Sequence, residues 1–183
     1  MSRYPFPDRV QAREELKKDV LYQRIPLQDR EQICNQAWDK GVSIFDEMAK
    51  RYPGKRIFEM AKLEGVKFIF SSKDMVNGSF RTFGEYYTEK NEMILYTGAI
   101  AKWAESNRLA RKEAEELIMA HEFYHFLECS RIGMTSDMYQ IPVLKIGKWS
   151  FGKSGVRALS EIAAHGFSRA YFEMVENDYK RSK

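Results

Sequence analysis

Residues 117–128, LIMAHEFYHFLE, hold two of the chain's three histidines, four apart, with a glutamate directly after the first. On a helix, positions four apart lie about 40° apart around the axis and one turn along it, so His121 and His125 can aim ring nitrogens at one point. The helical pattern runs from Arg108 to about Glu128, where Ala110, Ala114, Leu117 and Ile118 form an apolar stripe whose face continues through His121, His125 and Glu128. The motif therefore belongs on a buried side. An ionised glutamate there is costly unless it faces a charge or a donor, which a metal and its water would supply. Zinc needs Zn–N distances of roughly 2.0–2.1 Å, which this spacing permits, so Zn2+ is the expected cofactor. Glu122, one step around the helix, is placed beside the ion without having to bind it and serves as general base toward the activated water. The plain alternative is two helix histidines hydrogen-bonded to their surroundings.

A catalytic zinc takes three protein ligands and keeps a fourth position open. The segment SEIAAHGF, residues 160–167, supplies the candidates for the third, because Glu161 and His165 are again four apart on a helical stretch. Ala163, Ala164 and Gly166 would let that helix approach another closely. Glu161 is the first choice as ligand, with His165 behind it or stabilising the oxyanion. His165, Glu128, Asp137 and Cys129 remain alternatives as the ligand. An ordinary surface pair is the bland account of Glu161 and His165.

The remaining pattern predicts an α+β chain of a single domain, 1–183, with a helical N-terminal part (1–53) and a catalytic core (54–177). Helices are expected over residues 7–22, 27–50 and 54–64, the second carrying Ile33, Ala37, Trp38, Val42, Phe45 and Met48 at helical spacing. Gly65 closes the third helix, and VKFIFSS reads as a strand. After an Asn77-Gly-Ser turn come RTFGEYYTE and NEMILYTG, a hairpin about a tight Lys-Asn turn, which makes a small three-stranded sheet. Residues 130–157 read as an irregular excursion with a strand at IPVLKI, and a last helix covers 157–177.

Taken together, GKRIFEMAKLEGVKFIF, the hairpin around EYYTEKNEMILYT, LIMAHEFYHFLE and SEIAAHGFSRAYF resemble the ImmA/IrrE type of zinc metallopeptidase. The resemblance covers residues 54–175 and leaves the N-terminal helices outside it. It implies a zincin-like fold in which a short sheet precedes the HExxH helix and a glutamate of a later E-x-x-A helix completes the site. Carried over by position, it makes His121, His125 and Glu161 the metal ligands and Glu122 the base. It further implies a protein or peptide substrate, including a DNA-binding repressor. In zinc peptidases the strand before the active-site helix pairs with extended substrate; NEMILYTG is the candidate here. Tyr96 and Tyr124 are candidates to lend a hydroxyl to the oxyanion. A metal-holding docking module with little proteolytic activity is the competing function.

Other classes are disfavoured. The 30 basic and 26 acidic residues are interleaved, which argues against direct nucleic-acid binding despite a net charge of +4. No run approaches the roughly 20 apolar residues of a membrane span, and Cys34 and Cys129 are too few for a disulfide framework, so a soluble cytoplasmic protein is expected. GKWSFGKS, residues 147–154, satisfies the P-loop string G-x-x-x-x-G-K-[ST]. Trp149 and Phe151 are too bulky for a phosphate cradle, and only 29 residues follow Ser154, too few for the strands such a fold requires. The segment is expected to cap the metal cleft, with Trp149 and Phe151 packing over it or against the core.

Overall fold

A computed structural model describes residues 4–78, 80–146 and 149–181. The chain is α+β. Helices α1 (Arg13–Lys18), α2 (Leu27–Arg51) and α3 (Ile57–Leu63) precede strands β1 (Lys67–Ser71), β2 (Met75–Asn77), β3 (Phe80–Thr82), β4 (Gly84–Tyr87) and β5 (Glu92–Tyr96). Then come α4 (Thr97–Asn107), α5 (Arg111–Leu127), a π-helical turn (Glu128–Ile132), a 3-10 turn (Thr135–Met138), the hairpin β6 (Gln140–Ile146) and β7 (Trp149–Gly155), and α6 (Ala158–Arg181).

The expected three-stranded sheet is present with the order β1-β5-β4. β1 runs parallel to β5, with Phe70 opposite Leu95, while β4 is antiparallel to it, with Gly84 opposite Leu95 and Tyr87 opposite Glu92. Met93 and Leu95 alternate inward from β5 into the core. The turn before β5 depends on Asn91, which adopts a left-handed conformation (φ 53°) and donates from its side-chain amide to the Gly65 carbonyl at 2.7 Å. One amide thus ties the hairpin to the glycine that closes α3.

Three expectations change. The helix expected over 7–22 shrinks to α1, because Asp8 Oδ1 accepts from the backbone N–H groups of Val10 and Gln11, both at 2.9 Å, and holds that stretch as a turn. At the other end, Asp19 leaves the helix in an extended conformation and accepts from the backbone N–H of Leu21. The long helix expected from Arg108 is preceded by a break: Arg108 caps α4 in the left-handed region (φ 56°), and α5 starts at Arg111. Finally, the stretch after residue 130 is more regular than expected. IPVLKI does form β6, but Gly152, Lys153 and Ser154 of the P-loop string lie in β7, paired antiparallel with β6. A paired strand cannot turn successive N–H groups onto a phosphate.

α2 packs most extensively on α6, and glycine makes the approach possible. A Cβ on Gly166 would come within 2.5 Å of the Trp38 carbonyl oxygen, and one on Gly41 would collide with the carbonyl oxygen of Ala163. The small residues of SEIAAHGF therefore do admit a close neighbour, and that neighbour is α2. Asp19 Oδ2 also accepts from the N–H of Ala158 at 2.9 Å, capping the first turn of α6 from a distant segment. The N-terminal helices thus set the height and tilt of α6. Gly41→Ala should force α2 and α6 apart, cost about 1–3 kcal/mol, and lower the thermal midpoint by several degrees; an unchanged melting curve would refute the tight crossing.

Candidate metal centre

α5 is buried on nearly all sides. Glu116, Leu117, Ile118, Met119 and Ala120 are all buried ahead of the motif, and Phe123, Tyr124 and Leu127 are fully buried within and after it. From Glu116 onward, His121, Glu122 and His125 are the residues of α5 that are not fully buried, each being half-buried. Opposite them, the first turn of α6 presents Glu161, whose side chain is about half exposed.

The ligand atoms converge. His121 Nε2 lies 3.2 Å from His125 Nε2, Glu161 Oε2 lies 3.3 Å from His121 Nε2, and Glu161 Oε1 lies 3.5 Å from His125 Nε2. Ligands at tetrahedral angles with bonds near 2.0–2.1 Å stand roughly 3.3–3.4 Å apart, so these spacings match the edges of a zinc tetrahedron. Among the described residues, His121, His125 and Glu161 are the one group of three or more histidine, cysteine or carboxylate ligands gathered this closely. Asp137 and Cys129, weighed above as third ligands, stand outside it.

Glu128 has another task. Its Oε2 accepts from His125 Nδ1 at 3.0 Å, and its Oε1 accepts from the Thr135 backbone N–H at 2.7 Å and the Ser160 hydroxyl at 2.9 Å. Its side chain is fully buried behind His125 and faces away from the ligand cluster. This carboxylate fixes the ring orientation of His125, a candidate ligand. Burial would raise the Glu128 pKa, but the bonds from His125 and Thr135 outweigh it and hold the group below its ordinary value. Burial also works to lower the pKa of His125, yet the hydrogen bond to Glu128 and the charges of Glu161 and Glu122 lift it to about 9. Against its own burial, Glu161 is held down to about 2 by the hydrogen bond from His121 and the charges of His121 and His125.

His165 stands beside the trio without joining it. Its ring centroid is 5.1 Å from that of His121, its Nδ1 is buried without a hydrogen-bond partner, and its backbone carbonyl accepts from the Tyr4 hydroxyl. Burial, together with the charge of His121, lowers its pKa to about 3, so the ring is neutral at physiological pH. His121 Nδ1 is likewise buried and unpartnered. Glu122 rests against the backbone of β4: a Cβ on Gly84 would lie 2.7 Å from Glu122 Cγ and 3.1 Å from its Cδ.

Other expectations are corrected. The Tyr124 hydroxyl shares a 2.6 Å hydrogen bond with Thr135 Oγ1 inside the core, and the Tyr96 hydroxyl donates to Glu85 at 2.9 Å, so both are committed elsewhere. β5 is the central strand, with both edges taken by β1 and β4, and cannot add a peptide strand; β1 and β4 are the two edge strands, and β4 is the one beside Glu122. Phe151 is exposed on β7, and the Trp149 side chain falls outside the described residues. Glu128 and Gly84 were missed as positioning residues. For Glu128 a signal existed, since an acid three residues after the second histidine meets its outer ring nitrogen on a helix. For Gly84 the sequence holds none.

No family model matches this chain, and neither a curated protein nor a solved structure matches it.

Because His125 is protonated at neutral pH in the metal-free protein, zinc must displace about one proton, and affinity should rise with pH up to about 9 and then level. Glu128→Gln should weaken zinc binding about 10- to 100-fold and flatten that pH dependence, since the proton-holding partner is gone. Calorimetric titration in buffers of different ionisation enthalpy reads both; an unchanged affinity and proton count in the variant would exclude this role.

Proposed function

We propose that the protein is a zinc-dependent metallopeptidase with a zincin-like fold of the ImmA/IrrE type. The observation that carries this reading is the convergence of His121, His125 and Glu161 with Glu122 at their side. A structural zinc site has no use for that extra carboxylate, whereas hydrolysis requires a base at that position. A zinc ion held by the trio supplies Lewis acidity for the scissile carbonyl and brings the pKa of a water toward neutrality.

The remaining work falls to the chain itself. Glu122 takes the proton of the attacking water and returns it to the leaving amine, and its contact with Gly84 holds the carboxylate in one position. Glu128 holds His125 so that its Nε2 faces inward. The neutral His165 ring beside His121 is suited to donate toward the oxyanion without adding charge. The free edge of β4 begins at Gly84, so an extended peptide added to it would run directly past Glu122.

The substrate is a protein or peptide, and a DNA-binding repressor suits the family type. A cytoplasmic site of action agrees with that substrate. No described helix is long and apolar enough to cross a membrane.

Two variants separate the roles. Glu122→Gln should keep about one zinc per chain while lowering peptide cleavage by roughly 10²–10⁴-fold, and Glu161→Ala should lose both zinc and cleavage. Full turnover in the Gln variant excludes this mechanism; wild-type protein that holds zinc but cleaves nothing in a mixed peptide pool favours the docking-module alternative. Gly84→Ala should push Glu122 out of place, so that cleavage falls at least about tenfold with zinc content unchanged, as elemental analysis and a peptide assay would report.

A further inference from the structure

Aromatic side chains at this site divide into two kinds. Phe123, Tyr124 and Phe167 are fully buried and belong to the core. Phe83, Trp103 and Phe6 are only half-buried, and they form a row. The Phe83 and Trp103 ring centroids are 5.7 Å apart, those of Trp103 and Phe6 are 5.0 Å apart, and Phe6 stands 5.8 Å from the His121 ring and 5.5 Å from His165. The far end of the row is Phe83, in the connection into β4 and next in sequence to Gly84, whose own Cβ position faces Glu122. An apolar row therefore runs from the connection into β4 to His121, one of the proposed metal ligands.

Three separate segments build it: the connection into β4, the middle of α4, and the N-terminal stretch Tyr4-Pro5-Phe6-Pro7. The last is fixed rather than loosely laid down. Proline on either side of Phe6 restricts its backbone, the Tyr4 hydroxyl donates to the His165 carbonyl at 3.2 Å, and the Tyr4 ring packs on Phe172 with centroids 5.2 Å apart. Half-exposed aromatic surface beside a polar site is what a pocket for an apolar ligand group requires. The carboxylates of Glu122 and Glu161 flank the same site, so an acidic ligand group would meet like charge.

We propose that Phe83, Trp103 and Phe6 form the subsite that receives a large apolar side chain, preferentially aromatic, next to the scissile bond. This rests on the peptidase reading above and narrows its substrates to peptides carrying such a residue at the cleavage point.

Amino-acid hydroxamates test it by binding, without turnover, because the hydroxamate engages the metal while the side chain reports on the wall. Zinc-loaded wild-type protein should bind phenylalanine hydroxamate about tenfold or more tightly than alanine hydroxamate, and aspartate hydroxamate most weakly. Trp103→Ala and the milder Phe83→Leu should each shrink the phenylalanine preference while leaving alanine hydroxamate binding unchanged, which shows that the metal site is intact. Equal affinities for the phenylalanine and alanine compounds in the wild type overturn the subsite and leave the peptidase reading standing. Failure of every hydroxamate to bind, or binding that does not depend on zinc, overturns the metal-site reading and this proposal with it.

Discussion

The geometry of the centre depends on one buried carboxylate. Glu128 lies where water cannot solvate it, so its charge is tolerable only if both oxygens are satisfied by protein donors. Three donors meet it, from His125 on α5, from the backbone of Thr135 in the turn that follows, and from Ser160 on α6. Ser160 is the residue before Glu161. One anion therefore orients the His125 imidazole, closes the chain back after the π-helical turn, and pins the start of α6 to the histidine helix.

The other side of the ligand helix is held by α2. The glycines at positions 41 and 166 bring the two backbones so near that carbonyl oxygens occupy the space a methyl group would need. Asp19 caps the first turn of α6, and Arg24 reaches the Pro142 carbonyl of the β6–β7 hairpin. The N-terminal helices, which lie outside the family resemblance, are thus part of what brings Glu161 to the histidines. Phe6 extends that role into the site itself, since its ring packs on His121. A region that looks like an appendage in sequence contributes both the support of the ligand helix and one wall of the site.

The small sheet serves the same centre from the opposite direction. With β5 in the middle, its inward residues Met93 and Leu95 anchor the sheet in the core, and β4 is left at the edge with Gly84 against Glu122. An edge strand starting beside Glu122 gives the site a direction along which an extended chain can lie. Under the proposed peptidase reading, an extended substrate would fill this unpaired edge.

Much of this was legible in the sequence where the deciding physics is local. The period of 3.6 in LIMAHEFYHFLE, the four-residue spacing of its histidines, the strand character of VKFIFSS and the hairpin about Asn91 all follow from interactions within a few residues, and each appears in the fold. The small residues around Glu161 announced a close helix neighbour for the same reason. Tertiary structure alone decided the rest. It determined that Glu161, not Glu128, meets the Nε2 atoms of both histidines, that β5 and not β4 is enclosed, that residues 149–154 of the P-loop string lie in a paired hairpin strand, and that Tyr124 points into the core. Those outcomes depend on which distant segment supplies a hydrogen-bond donor, a strand edge or a gap without a Cβ. Such choices are made when separate segments meet, and no periodicity within one segment encodes them.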